Sequence, residues 1–161
     1  MRNALPALLS LLTAALLSPV GAQAELGGTL ASVQADGRQS NARIVSVTTT
    51  GFTRHDLMRP NGGTVSEFTN AADQVFAVTW SGPGKPDLRT LLGRYFATFQ
   101  AAGTVERDAG GGMIRSLRRP VQVAQADLQI QTGGHMGWFH GVAYVPSLAP
   151  PGFAPDDLPQ P

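Results

Sequence analysis

The stretch GGHMGWFHGVAYVP, residues 133–146, holds two of the three histidines of the chain, one of its two tryptophans and four of its glycines. Histidine changes charge near neutral pH and ligates metals, and tryptophan near a strand end stacks on a sugar ring or docks a partner chain. His135, Trp138 and, from an earlier strand, Trp80 are therefore the candidate ligand-binding residues. A metal site built on His135 and His140 is disfavoured by their spacing. Five residues apart, they face opposite sides of a strand, and on a helix they stand ~140° apart. Only a turn between them, which Gly137 permits, unites them. No Asp or Glu lies within seven residues of either, although His55 and Asp56 stand elsewhere in the chain. No metal site and no cofactor is assigned on this basis.

Other chemistries fit the sequence less well. Ser, His and Asp are all present, but the G-x-S-x-G elbow of many serine hydrolases is missing and there is no cysteine. Ser66-Glu67 falls on an alternating strand and reads as strand surface. Glu67 and Asp73 could serve as a carboxylate pair for glycoside hydrolysis, yet they flank a turn and read as turn and edge residues. GGGMIR at 110–115 neither follows a convincing strand nor opens a helix, so it is no phosphate loop. Arg115, Arg118 and Arg119 beside it read as a solvated edge. No catalytic residue is assigned.

The elements that position these residues follow from period and punctuation. RIVSVTTTGF from Arg43 is dense in β-branched residues and predicts a strand. RPNGG at 59–63 predicts a tight hairpin turn with positive φ at Asn-Gly. TVSEFTN then alternates, with Val65, Glu67 and Thr69 on one face and Ser66 and Phe68 on the other. NAAD is a second turn, and QVFAVTW, apolar on both faces, is the central strand of the meander. SGPGKP breaks it. Leu88, Leu91, Leu92, Tyr95, Phe96 and Phe99 then form one helical stripe, opened by Asp87 as N-cap and closed at Gly103. VQVAQADLQIQT and WFHGVAYVP are two further strands. The predicted fold class is α+β: an antiparallel sheet of about five strands carrying one amphipathic helix. The domain runs from 43 to 146, after an irregular lead-in at 25–42 with no clear period. The tail at 147–161 holds five prolines and is expected to be extended and mobile.

Residues 1–24 have the three parts of a secretory signal peptide: Arg2, the apolar run Ala4 to Leu17, and a small-x-small ending at Ala22-Gln23-Ala24. The apolar run is shorter than a bilayer span and contains Pro6, which argues against a retained anchor. Export to the periplasm or beyond is the expected location. Without Arg2 the basic and acidic residues balance, so no bulk attraction to nucleic acid or anionic membrane is expected. An exported chain without cysteine has no disulfides and must be held by its core.

Beyond these local patterns, residues 62–96 together with GGHMGWFHGVAYVPSLAP resemble the small exported Gram-negative proteins grouped as domain of unknown function twenty-eight forty-four. The likeness rests on Glu67-Phe68, Val75 to Trp80, Pro86 to Phe96, Gly133 to Met136, and Gly141 to Pro146. It implies export and a shared fold, and brings no activity, cofactor or partner with it. His135 lies inside the G-G-H-M motif of the resemblance, whereas His140 and Trp138 lie outside its motifs.

The function expected from these features is that of a non-enzymatic envelope or secreted accessory protein that binds another protein. The alternative is an exported hydrolase or carbohydrate-binding module using His135 with Trp138 or Trp80.

Overall fold

The computed structural model describes residues 25–103 and 120–158. Residues 1–24, where a signal peptide is expected, the Gly-rich stretch with Arg115, Arg118 and Arg119, and the last three residues lie outside the described residues. Helix α1 (Leu30–Gln39) precedes a four-strand meander of β1 (Arg43–Thr48), β2 (Phe52–Met58), β3 (Thr64–Asn70) and β4 (Val75–Gly82). Helices α2 (Leu88–Leu92) and α3 (Phe96–Gly103) follow, then β5 (Gln122–Gln125), β6 (Leu128–His135) and β7 (Trp138–Tyr144). All seven strands form one antiparallel sheet in the order β1-β2-β3-β4-β7-β6-β5. The α+β class and the central place of β4 are as predicted; the counts are not.

The expected five strands become seven for two local reasons. RIVSVTTTGF is not one strand: it turns at Thr49 to Phe52, where Gly51 takes φ +99°, and returns as β2. Thr53, Arg54, His55 and Asp56 give β2 no apolar alternation to read. VQVAQADLQIQT likewise folds back at Ala126-Asp127 into β5 and β6. The lead-in is also not irregular, since α1 occupies most of it. Its buried residues are Ser32, Val33 and Gly37, a face too small and polar to give a helical hydrophobic signal. Gly37 lets the side chain of Ile44 pack directly on the helix backbone.

The single predicted helix is broken at Gly93, which takes φ +49°. There the Leu91 carbonyl accepts from Leu26 N–H at 3.0 Å, and the space a Gly93 side chain would need is filled by Glu25. The lead-in thus replaces a helical hydrogen bond with a tertiary one, and the chain re-enters helix one turn later. Asp87 caps α2 as expected, accepting from Arg89 N–H and Thr90 N–H. Its carboxyl is held below the usual range, chiefly by the Thr90 hydroxyl that donates to it.

At RPNGG only Gly62 takes positive φ. Asn61 acts through its side chain instead, accepting from Gly63 N–H at 3.0 Å and donating to the Pro83 carbonyl at 3.0 Å.

Both sheet faces are covered, by different parts of the chain. On the helix face, Leu57, Val65, Val78, Trp80, Ile130, Ala143 and Val145 pack with Leu26, Val33, Leu91 and Leu92. On the back face, Phe68, Phe76, Ala77 and Tyr144 pack with Leu158, and Phe52, Leu148 and Phe153 complete that cluster. A bulge feeds the second cluster: Phe68 opposes Ala77 while Thr69 opposes Val75, which leaves Phe76 as the extra residue and turns it to the back face. The Pro-rich segment expected to be mobile lies here, with Leu158 buried and the Phe153 ring 4.8 Å from that of Phe76. Its described residues join no ladder and form only short 3-10 turns, at Pro146–Leu148 and Pro155–Asp157, but its prolines do not keep it from packing.

Trp80 is 4% exposed, and its ring lies over Gly141 on the neighbouring strand. A β-carbon at Gly141 would come within 2.6 Å of Trp80 Cε2 and 2.7 Å of the Gln131 carbonyl oxygen. Gly141→Ala is therefore expected to cost about 1–3 kcal/mol by overpacking. Urea unfolding measures it, and an unchanged midpoint would mean that the indole is not held against β7.

Candidate functional site

The β6–β7 hairpin turns through Met136 and Gly137, and Gly137 supplies the positive φ of +88°. His135 and Trp138 are register partners on either side of this loop. Met136 is 94% exposed and Trp138 44%. The His135 Nδ1–H donates to the Met136 carbonyl at 3.2 Å, so that ring is tied to the turn backbone. His140 pairs with Gly133, and its imidazole fills the space a side chain there would occupy.

The hairpin alters the parity argument made from spacing. Two strands joined by a turn point register partners the same way, so His135, Trp138 and His140 all lie on the back face of the sheet. Phe139 faces the other side, beneath the Lys85 ammonium at 5.2 Å. Among the described residues no group of three or more His, Cys, Asp or Glu is arranged to hold a metal ion. Trp80 is not part of this tip: it lies on the helix face, in the core.

A second constellation was not visible in the sequence. One cross-strand row runs through Ser46, His55, Glu67, Val78, Ala143, Ile130 and Val123. Its apolar half is core, and its polar half enters the same face beside α1. Ser46 Oγ lies 2.8 Å from His55 Nδ1, and His55 Nε2 lies 3.0 Å from Thr69 Oγ1. His55 is 4% exposed and Glu67 1%. Neither carboxyl oxygen of Glu67 has a hydrogen-bond partner. Loss of water pushes its pKa up to about 8, and the charge of Asp36 on α1 adds to the rise. Burial lowers the pKa of His55, against the opposing pull of Asp73 and Asp56. At neutral pH the row thus holds a neutral imidazole beside a protonated carboxyl.

Beside this row, a cleft of about 230 Å³ opens between α1 and α2, with Asp36, Gln39, Arg59 and Thr90 around a floor of Leu57, Val65 and Leu91. Burial lowers the pKa of Arg59. None of His135, Trp138 and Trp80 lines this cleft.

On the back face, Ser66 Oγ donates to Asp56 at 2.6 Å, and Arg54 pairs with the other carboxyl oxygen at 3.1 Å. Ser66 is therefore the donor to a carboxylate, with no histidine in that contact. Glu67 and Asp73 are not a facing pair: one is on the core face of β3 and the other in the β3–β4 turn at φ +56°.

Among known protein families, the model described as a protein of unknown function (DUF2844) matches residues 22–158, nearly the whole chain. No curated protein and no solved structure matches.

Proposed function

We propose, from the premise that this chain belongs to the DUF2844 family, that it is an exported accessory protein which binds another envelope or secreted protein through the β6–β7 tip. The observation that carries this reading is the tip itself. Met136 and Trp138 are two of the four large hydrophobic residues left exposed among the described residues, Met136 in the two-residue turn and Trp138 two positions on at the start of β7. Such a pair suits an apolar pocket on a partner, where a single buried aromatic anchor carries much of the affinity. The tie of His135 to the turn backbone favours a structural part for the imidazole in shaping the tip. The balanced charge left once Arg2 is removed fits docking by shape and apolar contact, not by electrostatic steering.

The test is capture from envelope extract with purified wild-type protein and with Met136→Ser/Trp138→Ser. A partner retained by the wild type and lost, by at least about tenfold, from the double variant is expected for an apolar anchor worth ~1.4 kcal/mol or more. Equal recovery on both baits, with the variant folded by circular dichroism, removes the tip as the contact.

A further inference from the structure

We propose that Ser46 and His55 form a nucleophile–base pair at the open edge of the sheet, able to take the acyl group of small activated esters onto Ser46. This site is separate from the hairpin tip, being built on β1 and β2 at the far side of the sheet order.

The backbone places the pair. Thr49 N–H donates to the Phe52 carbonyl at 2.9 Å, and hydrogen-bonded and non-hydrogen-bonded pairs alternate back from that turn. By that alternation Ser46 and His55 are a non-hydrogen-bonded pair, the class in which facing side chains stand closest. The N–H of Ser46 is turned away from β2, off the outer edge of the first strand of the sheet. It is a donor of the kind that stabilises an oxyanion. Ser46 is exposed while His55 is 4% exposed, so the nucleophile is reachable and the base is shielded.

The hydrogen-bond directions are consistent with a base at Nδ1. In the tautomer with its proton on Nε2, His55 donates that proton to Thr69 Oγ1 at 3.0 Å while the Thr69 hydroxyl is free to donate to the Thr53 carbonyl at 3.5 Å. With that proton on Nε2, Nδ1 keeps its lone pair and accepts the Ser46 hydroxyl at 2.8 Å. Burial keeps the imidazole neutral at pH 7, while Asp56 and Asp73 favour the imidazolium once a proton arrives. Glu67, next in the row, stays protonated until about pH 8 and adds no charge below it.

The step balances with water as the only further reactant. Ser46 Oγ attacks the ester carbonyl while its proton passes to Nδ1, and the oxyanion collapses by breaking the bond to the leaving alcohol, which departs with that proton. Water then attacks the acyl-Ser46 ester, gives a proton to Nδ1, and releases the acid as Ser46 recovers its own. Ser46 stands exposed on the edge strand and does not line the cleft between α1 and α2, so the substrate class is small, activated esters.

The experiment treats the folded protein with a fluorophosphonate probe and with p-nitrophenyl acetate, followed by peptide mass spectrometry. The expected result is a single adduct on Ser46, absent in Ser46→Ala and slowed about 100-fold in His55→Gln, the usual worth of a positioned general base. The rate of labelling is expected to rise with pH through one apparent pKa below 6.5 and then level off. No adduct on Ser46 overturns the proposal, and so does undiminished labelling of folded His55→Gln. Should that variant unfold, the wild-type profile decides: a rate that climbs with hydroxide throughout shows that no base assists Ser46.

Discussion

Replacing Glu67 by Gln is expected to abolish the loss of stability that this carboxyl contributes to the wild-type protein as pH rises from about 5 to about 8. The sign follows from where the proton resides. The unfolded carboxyl releases it near 4.5, whereas the folded one, 1% exposed and without a partner, holds it to about pH 8. Between those values the native state binds more protons than the unfolded state, so stability falls as pH rises. At 1.36 kcal/mol per pH unit the whole window is worth on the order of 5 kcal/mol. The Gln amide carries its own cost of roughly 1–3 kcal/mol for an unsatisfied buried group, but that cost does not vary with pH. The two profiles should therefore cross: the variant is weaker at pH 5 and stronger at pH 8. His55 acts in the opposite sense in the lower part of that window, because its lowered pKa means that the unfolded state takes up protons first below about pH 6.5; that contribution is common to wild type and variant, so the difference between the two profiles isolates Glu67. Urea midpoints at pH 5, 6, 7 and 8 measure both profiles. Parallel profiles for wild type and Glu67→Gln would show that the carboxyl is ionised in the folded protein.

Removing the chain after Pro146 is the second large effect, on the order of 5 kcal/mol. Leu148, Phe153 and Leu158 all join the back-face cluster, and each large apolar side chain withdrawn from water contributes about 1.5–3 kcal/mol before the cost of ordering the segment. Phe153 touches three rings at once, with centroids 4.8 Å from Phe76, 5.5 Å from Phe52 and 5.7 Å from Tyr144. Polar anchors fix the path: Asn70 donates to the Leu148 carbonyl at 2.8 Å, and Ser147 donates to Asp127 from both N–H and Oγ. Those bonds hold the Asp127 carboxyl below its usual range, the Ser147 hydroxyl contributing most. The truncated protein should unfold at markedly lower urea and bind a hydrophobic dye through the uncovered Phe52, Phe68, Phe76 and Tyr144. An unchanged midpoint would mean that the segment covers the sheet without stabilising it.

The tail and Glu67 show where sequence reading stopped. Five prolines after Pro146 exclude a strand or a long helix, and the described tail holds only short 3-10 turns at Pro146–Leu148 and Pro155–Asp157. The prolines are silent about Phe153 and Leu158, whose partners are set by a bulge at Phe76 that no periodicity announces. For β3 the alternation is legible, with Val65 and Glu67 on one face and Ser66 and Phe68 on the other. Which face meets the core is not readable, and a strand buried on both sides takes Glu67 out of water between His55 and Val78. The tip was legible in outline: Gly137 makes the turn, and Val142 and Tyr144 face away from Ala143 and Val145. The Ser46–His55 contact had no local signal, since nine residues and a turn separate the two.

By itself the sequence determined the elements whose signal is carried by near neighbours: the alternating strands, the capped helical stripe from Leu88, the glycine turns, and membership of an α+β class with β4 at its centre. Only the tertiary structure decided what depends on register between distant strands. It split five strands into seven, broke the helix at Gly93 against Glu25, and laid the tail on the back face. It also drew Ser46, His55 and Glu67 into one row. The physical reason is that side-chain period is a property of one strand. Burial, pKa and contact are properties of the pairing, and a shift of one residue in register would have turned every one of those groups to the other face.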